Sequence, residues 1–185
     1  MSTTDELLAI RCQLGESGAI DALIARWHGP LWTYARRVTG ADDVADDVVQ
    51  DVWMQIVRGL PGLKAPASLR AWMFSIARRR LMDRLRRQYA APSFADTDLD
   101  VLQAPDDALF DEPPLVDEIT QMHEALATLP AVERDTLALF YLQELSLQEM
   151  SDVLGVPIGT IKSRLFRARR QLRERLIHRR TEANR

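Results

Sequence analysis

The chain has 185 residues, 46% of them hydrophobic and 28% charged, with a formal net charge of −3. That length allows one domain or two small ones, and that apolar share supports a packed core and excludes wholesale disorder. No apolar run reaches the roughly 18 residues that cross a bilayer, and the single cysteine, Cys12, excludes an internal disulfide framework or a cysteine metal cluster.

The opening stretch MSTTDELLAIRCQLGESG carries acids where a signal peptide carries bases, and it lacks a long apolar centre. A cytoplasmic protein is therefore expected. AIDALIARWHGPLWTYARRV has helical apolar spacing, with an interruption expected at Gly29-Pro30, where proline removes a backbone donor. After Gly40, ADDVADDVVQDVWMQIVRG sets Ala45, Val48, Val52 and Ile56 on one helical face, with acids at the positive end of the helix dipole. Asp43, Asp47 and Asp51 recur on another face, which suits solvent or a basic partner. Hard-cation sites need oxygens converging from turned backbone or several elements, so no metal is expected there.

A turn over Gly59 to Gly62 leads into a helix from about Ala67, with Ser68 as a candidate cap. Leu69, Trp72, Met73, Ile76, Ala77, Leu81 and Leu85 fall at helical spacing along it. Between Arg78 and Arg87 this helix carries six arginines against Asp83 alone. Those arginines, with Trp72 and Phe74 nearby, fit a nucleic-acid backbone track with aromatics for unstacked bases. They fit equally a solvated face over a core.

The character of the chain then changes. Between Ser93 and Asp117 there are eight acids and neither lysine nor arginine, with prolines and no sustained period. Residues 91–113 read as an acidic linker between an N-terminal unit, 1–90, and a C-terminal unit, 114–185.

In the second unit, PLVDEITQMHEALATL and PAVERDTLALFYLQEL read as two helices, with Pro130 as a first-turn residue of the second. Ser146-Leu-Gln-Glu149 fits a capping box that opens a short helix, its inward side being Leu147, Met150, Val153 and Leu154. Gly155 suits its C-terminal cap, and a longer helix starts near Pro157. A helix, a glycine turn and a second helix form the helix-turn-helix pattern.

On the second helix Ile161, Leu165, Ala168, Leu172 and Leu176 make the packed stripe, and cations flank it on both sides. From Thr160 to the end there are ten bases against Glu174 and Glu182, whereas a self-paired surface helix would interleave acids. That spread suits a rod lying in a groove between phosphates. The first residues of such a helix meet base edges: here Gly159, Thr160, Lys162, Ser163 and Arg164, with Arg167 a turn further in. His28, His123 and His178 lie in separate elements, and no nucleophile constellation or phosphate loop accompanies them. Neither catalysis nor a cofactor is expected.

Taken together these stretches resemble the extracytoplasmic-function (ECF, group IV) sigma factors of bacterial RNA polymerase, within the sigma-70 family. LPAVERDTLALFYLQELSLQEMSDVLGVPIGTIKSRLFRARRQLRERL is similar to the family's region 4, and DDVVQDVWMQIV to its region 2.2. ASLRAWMFSIARRRLMDRLRR is similar to regions 2.3 and 2.4. The resemblance implies an all-α protein of two small helical domains, region 2 and region 4, joined by the acidic linker. It implies core RNA polymerase as partner, with region 2 docked on the β′ clamp helices and region 4 on the β subunit. Asp47, Gln50, Asp51 and Trp53 match the core-binding motif.

Promoter DNA is the second implied partner, with its −35 element read by the helix-turn-helix. The loop from Lys64 through Ser68 to Arg70 would hold a flipped −10 base, and Arg78, Arg80, Arg84 and Arg87 would contact the −10 strand. Members often carry asparagine where Arg79 stands. An anti-sigma factor is expected from the family, and no membrane insertion is.

Overall fold

A computed structural model describes residues 3–89, 126 and 128–183, which form seven α-helices and no strand. They are α1 (Thr3–Gln13), α2 (Ala19–Thr39), α3 (Asp42–Gly59), α4 (Leu69–Tyr89), α5 (Ala131–Leu137), α6 (Leu147–Leu154) and α7 (Ile158–Ala183). Two 3₁₀ turns, Leu60–Gly62 and Pro66–Ser68, join α3 to α4. The acidic linker and most of the helix expected before Pro130 lie outside the described residues.

The N-terminal unit is built by α2, α3 and α4, each supplying one apolar face. Leu23, Trp27, Leu31, Tyr34, Ala35 and Val38 are buried along α2, and Ala45, Val48, Val52 and Ile56 along α3, as the helical spacing predicts. Phe74 of α4 is fully buried between Tyr34 and Trp27, with ring centroids 5.5 and 6.1 Å away and near-perpendicular planes. Of the two readings of the aromatics on α4, the core one holds for Phe74.

One expectation is corrected here. The helix is not interrupted at Gly29-Pro30, since α2 runs through Pro30 from Ala19 to Thr39. The lost donor and the ring's clash with the preceding turn cost the helix locally. The apolar stripe on both sides of Pro30 is buried in one core, and that burial outweighs the local loss. Ser68, the expected cap, stands directly before Leu69, the first residue of α4, and its hydroxyl donates to the Ala65 carbonyl at 2.7 Å inside the 3₁₀ turn.

The expected helix-turn-helix is present. The Ser146 side chain accepts from the Glu149 amide, and the Glu149 carboxylate accepts from the Ser146 amide at 2.9 Å, which completes the capping box. Gly155 ends α6 in the left-handed region at φ 69°, where a side chain would be strained. Pro130 stands one position earlier than expected, as the N-cap of α5. A π-helical turn, Ala138–Leu142, follows α5 and was not foreseen. Ile161, Leu165 and Ala168 bury the start of the α7 stripe.

The two units are packed together, with α6 lying on α4 and α5 on α2, and one apolar core runs through both. Ser146→Ala should lower stability by about 1 kcal/mol, because the α6 amide loses its acceptor. Phe74→Ala should lower it by about 3–5 kcal/mol, because a ring-sized cavity opens. Urea unfolding followed by far-UV circular dichroism measures both, and equal effects would contradict this ranking.

Candidate nucleic-acid interface

The turn between α6 and α7 points the start of α7 outward. Gly159 and Lys162 are exposed, Thr160 is half-buried, and the Ser163 hydroxyl donates to the Thr160 carbonyl at 2.9 Å. A β-carbon built on Gly159 meets nothing within 4 Å, so the chain itself does not require glycine there. The bare backbone leaves room for an approaching groove wall. Arg167 is half-buried, and its Nε has no hydrogen-bond partner among the described residues.

Ser163 and Arg164 are placed differently. Each is only 7% exposed, so two of the six residues expected at the −35 element face inward. Further along α7, Arg169 stacks over the Phe140 and Tyr141 rings, 5.4 and 5.5 Å from their centroids. This spends one of the flanking cations on packing against the π-helical turn.

The residues expected at the −10 element lie on the connection into α4 and along that helix. Lys64 and Ser68 are exposed and Arg70 is half-buried. Gln13 of α1 donates to the carbonyls of Leu60 and Leu63, at 3.1 and 2.8 Å, and so buttresses this connection. Arg84 and Arg87 are exposed, while Arg80 packs against the Gln55 amide of α3. Arg78 turns inward and donates from Nε to Asp135 of α5 at 2.8 Å.

Asp135 is the least expected member of this region. It is 1% exposed, and its other oxygen accepts from the Tyr34 hydroxyl of α2 at 2.5 Å. Burial pushes the Asp135 carboxyl up from its ordinary value, against the downward pull of Arg78, Tyr34 and Arg164. Burial first, and the Asp135 charge second, hold the Tyr34 hydroxyl well above its ordinary value, so Tyr34 remains the donor. The only local signal for this site was an acid and a tyrosine standing at inward helical positions.

The expected polymerase-docking residues divide in the same way. Asp47, Gln50 and Asp51 are exposed on α3, beside the exposed Met54 and Val57. Trp53 is buried, and its indole donates to His28 Nδ1 at 3.2 Å, tying α3 to α2. Asp42 pairs with Arg36, and Asp46 accepts from the Trp32 indole at 2.7 Å, so these two acids also join helices.

Two family models match the chain: Sigma-70 region 2 over residues 23–90 and Sigma-70, region 4 over residues 119–172. The ECF RNA polymerase sigma factor SigM of Mycobacterium tuberculosis is 32% identical, the match covering 97% of this chain and 87% of that one. The ECF RNA polymerase sigma-E factor of Escherichia coli is 27% identical, covering 90% and 91% respectively. Among solved structures, CnrH in complex with the cytosolic domain of CnrY has a similar fold, with a TM-score of 0.69 and 24% identity over 94% of this chain and 97% of that one. The sigma factor RpoE of Bartonella quintana, in complex with the anti-sigma factor NepR, gives 0.67 and 24% over 86% and 97%.

Burial separates Trp53 from its acidic neighbours. Trp53→Ala should cost about 3–5 kcal/mol of stability, by the large-to-small rule. Asp51→Ala, at an exposed position, should stay within about 0.5 kcal/mol of the parent. Urea denaturation of the two variants measures the contrast, and a stable Trp53→Ala protein would contradict the packing described.

Proposed function

Since the chain belongs to the extracytoplasmic-function sigma factors of the sigma-70 family, we propose that it docks on core RNA polymerase through the exposed acidic face of α3. Asp47, Gln50 and Asp51 offer carboxylates and an amide to a basic helical partner, and Trp53 holds α3 in place from beneath. The helix-turn-helix engages the β subunit and reads the −35 duplex. The connection through Lys64, Ser68 and Arg70 and the arginines of α4 take the opened −10 strand. The protein contributes positioning and charge, and the polymerase performs the covalent chemistry.

The observation that carries this reading is the exposed tip of α7. A capping box and a left-handed Gly155 fix the turn, and open Gly159 and exposed Lys162 stand at the end presented to solvent. Such a tip fits a major groove, where lysine and arginine meet guanine acceptors and small residues allow close approach. Arg167, a turn further in, is placed for a base or a phosphate. Ser163 and Arg164 join the reader only if the cover over them is removed, so their part in −35 reading is secondary to that of Lys162 and Arg167.

An anti-sigma factor fits as the controlling partner, since RpoE, of similar fold, is bound to the anti-sigma factor NepR. None of the described helices is long and apolar enough to cross a membrane. A cytoplasmic location, beside the polymerase, follows from the proposed role.

Run-off transcription with purified core polymerase over several candidate promoters tests the proposal. A promoter-specific transcript that needs this protein is expected. Duplex binding with neither core association nor a transcript would mark an operator-binding regulator instead. In the same assay system, Arg167→Ala should weaken −35 binding by about 1–3 kcal/mol, with relaxed specificity if the side chain reads a base. An equal loss on all sequences, with a shallower salt dependence, would mark a phosphate contact.

A further inference from the structure

The Asp135 carboxylate lies where the two units meet, and nothing in the proposed DNA and polymerase contacts accounts for it. It sits on α5 of the C-terminal unit, yet both hydrogen bonds described for it come from the N-terminal unit: Tyr34 of α2 at 2.5 Å and Arg78 of α4 at 2.8 Å. Arg78 belongs to the arginine set proposed for the −10 strand, and its side chain is 23% exposed in this arrangement. Arg164, on α7, is near enough to act on the same carboxylate by charge, and it is 7% exposed. A second contact between the units stands nearby, where the buried Gln143 amide donates to the Pro30 carbonyl at 3.2 Å.

A buried carboxylate facing arginines has the chemistry of a phosphate oxygen facing arginines: one anion, charge-assisted hydrogen bonds and excluded water. It is also a poor source of stability, because removing both charges from water consumes most of what their attraction returns. Such a pair holds one arrangement of two bodies without holding it tightly. It is therefore suited to a contact that must be exchanged.

We propose that Asp135 is an internal stand-in for a DNA phosphate: it draws Arg78 inward, latches the two units closed through Tyr34, and yields that arginine when nucleic acid competes for it. The closed state is then autoinhibited, with Arg78, one of the arginines proposed for the −10 strand, held at the interface of the two units. The units part when the protein is loaded on polymerase and promoter. This inference rests on the DNA reading of the α4 arginines given above.

The test uses the purified full chain and two substitutions outside the proposed DNA contacts. Tyr34→Phe keeps the buried ring and the net charge and removes only the donor to Asp135. Asp135→Asn keeps the shape and removes the anion, and Asp152→Asn, at an exposed position, is the control for lost charge. Binding of a short mixed-sequence DNA duplex at low salt is measured by anisotropy, and the compactness of the free chain by small-angle scattering.

If the open state is the minor one, apparent affinity is scaled by its population. Loss of a hydrogen bond to a charged acceptor should then raise duplex affinity about tenfold in Tyr34→Phe. Asp135→Asn should raise it at least as far, beyond any gain in the Asp152→Asn control, and both latch variants should scatter as more extended molecules. Parent-like affinity and dimensions in a folded Tyr34→Phe protein would overturn the latch, even if Asp135→Asn unfolds the C-terminal unit. Extension without a gain in affinity would overturn the phosphate stand-in. Failure of the sigma reading would appear separately, as absence of a transcript from the parent chain with core polymerase.

Discussion

A charge almost wholly removed from water is an expensive thing to place in a small protein, and Asp135 is such a charge. Its cost is met by donors brought from two other helices, 101 positions away in the case of Tyr34 and 57 in the case of Arg78. Each of those donors is held by packing: Tyr34 by the edge of Phe74, Arg78 by a helix whose opposite side is core. The apolar core and the polar junction therefore depend on each other. Loosening the aromatic cluster would misplace the donor, and an unsatisfied Asp135 would force the core apart to reach water.

That dependence also orders the functional surfaces. Residues at the tip of α7 and at the end of α4 point outward because the inner rows of both helices are committed to packing. The committed rows contain cations as well as apolar residues. Arg78 and Arg164 look like any other arginine in a basic helix, and only their position relative to α5 distinguishes them from Arg84 or Lys162. The two helices thus present some arginines to solvent, such as Arg84, and hold others inside the fold, Arg78 against Asp135 and Arg169 over two aromatic rings.

How much of this was legible in the sequence depends on the range of the interactions involved. The stripes of α3 and α7 could be read directly, because period and burial coincide over about two or three turns. The capping box of α6 could be read because both partners stand within three residues. Helix α1 could not, since Leu7 and Ile10 are exposed while Leu8 and Ala9 are buried, and its polar ties are remote: Gln13 holds two distant carbonyls and Asp5 accepts from Arg26 of α2 at 2.5 Å. Pro30 misled because a local rule was weighed without the long stripe that overrides it. The π-helical turn after α5 was invisible for a related reason, since a widened turn leaves no sequence period. In the candidate interface, residue types indicated a DNA reader and a docking face, but not which arginines face inward or that Trp53 is a strut. The first depends, for Arg78, on how the two units sit together and the second on how α3 packs against His28 of α2, and no spacing within one helix encodes either.

Helix α7 has one more consequence. At 1.5 Å per residue its 26 residues make a rod about 39 Å long. B-DNA completes a turn in roughly 34–36 Å, so its major groove curves away beneath a straight rod well before that length is used. Only the leading two or three turns can lie against base edges, and the trailing half must leave the duplex at a tangent. Arg175, in that trailing half, is already fastened to the Thr128 carbonyl of its own unit at 2.7 Å. The helix therefore works as a bracket, and the reading tip gains its stiffness from a shaft that never touches a base.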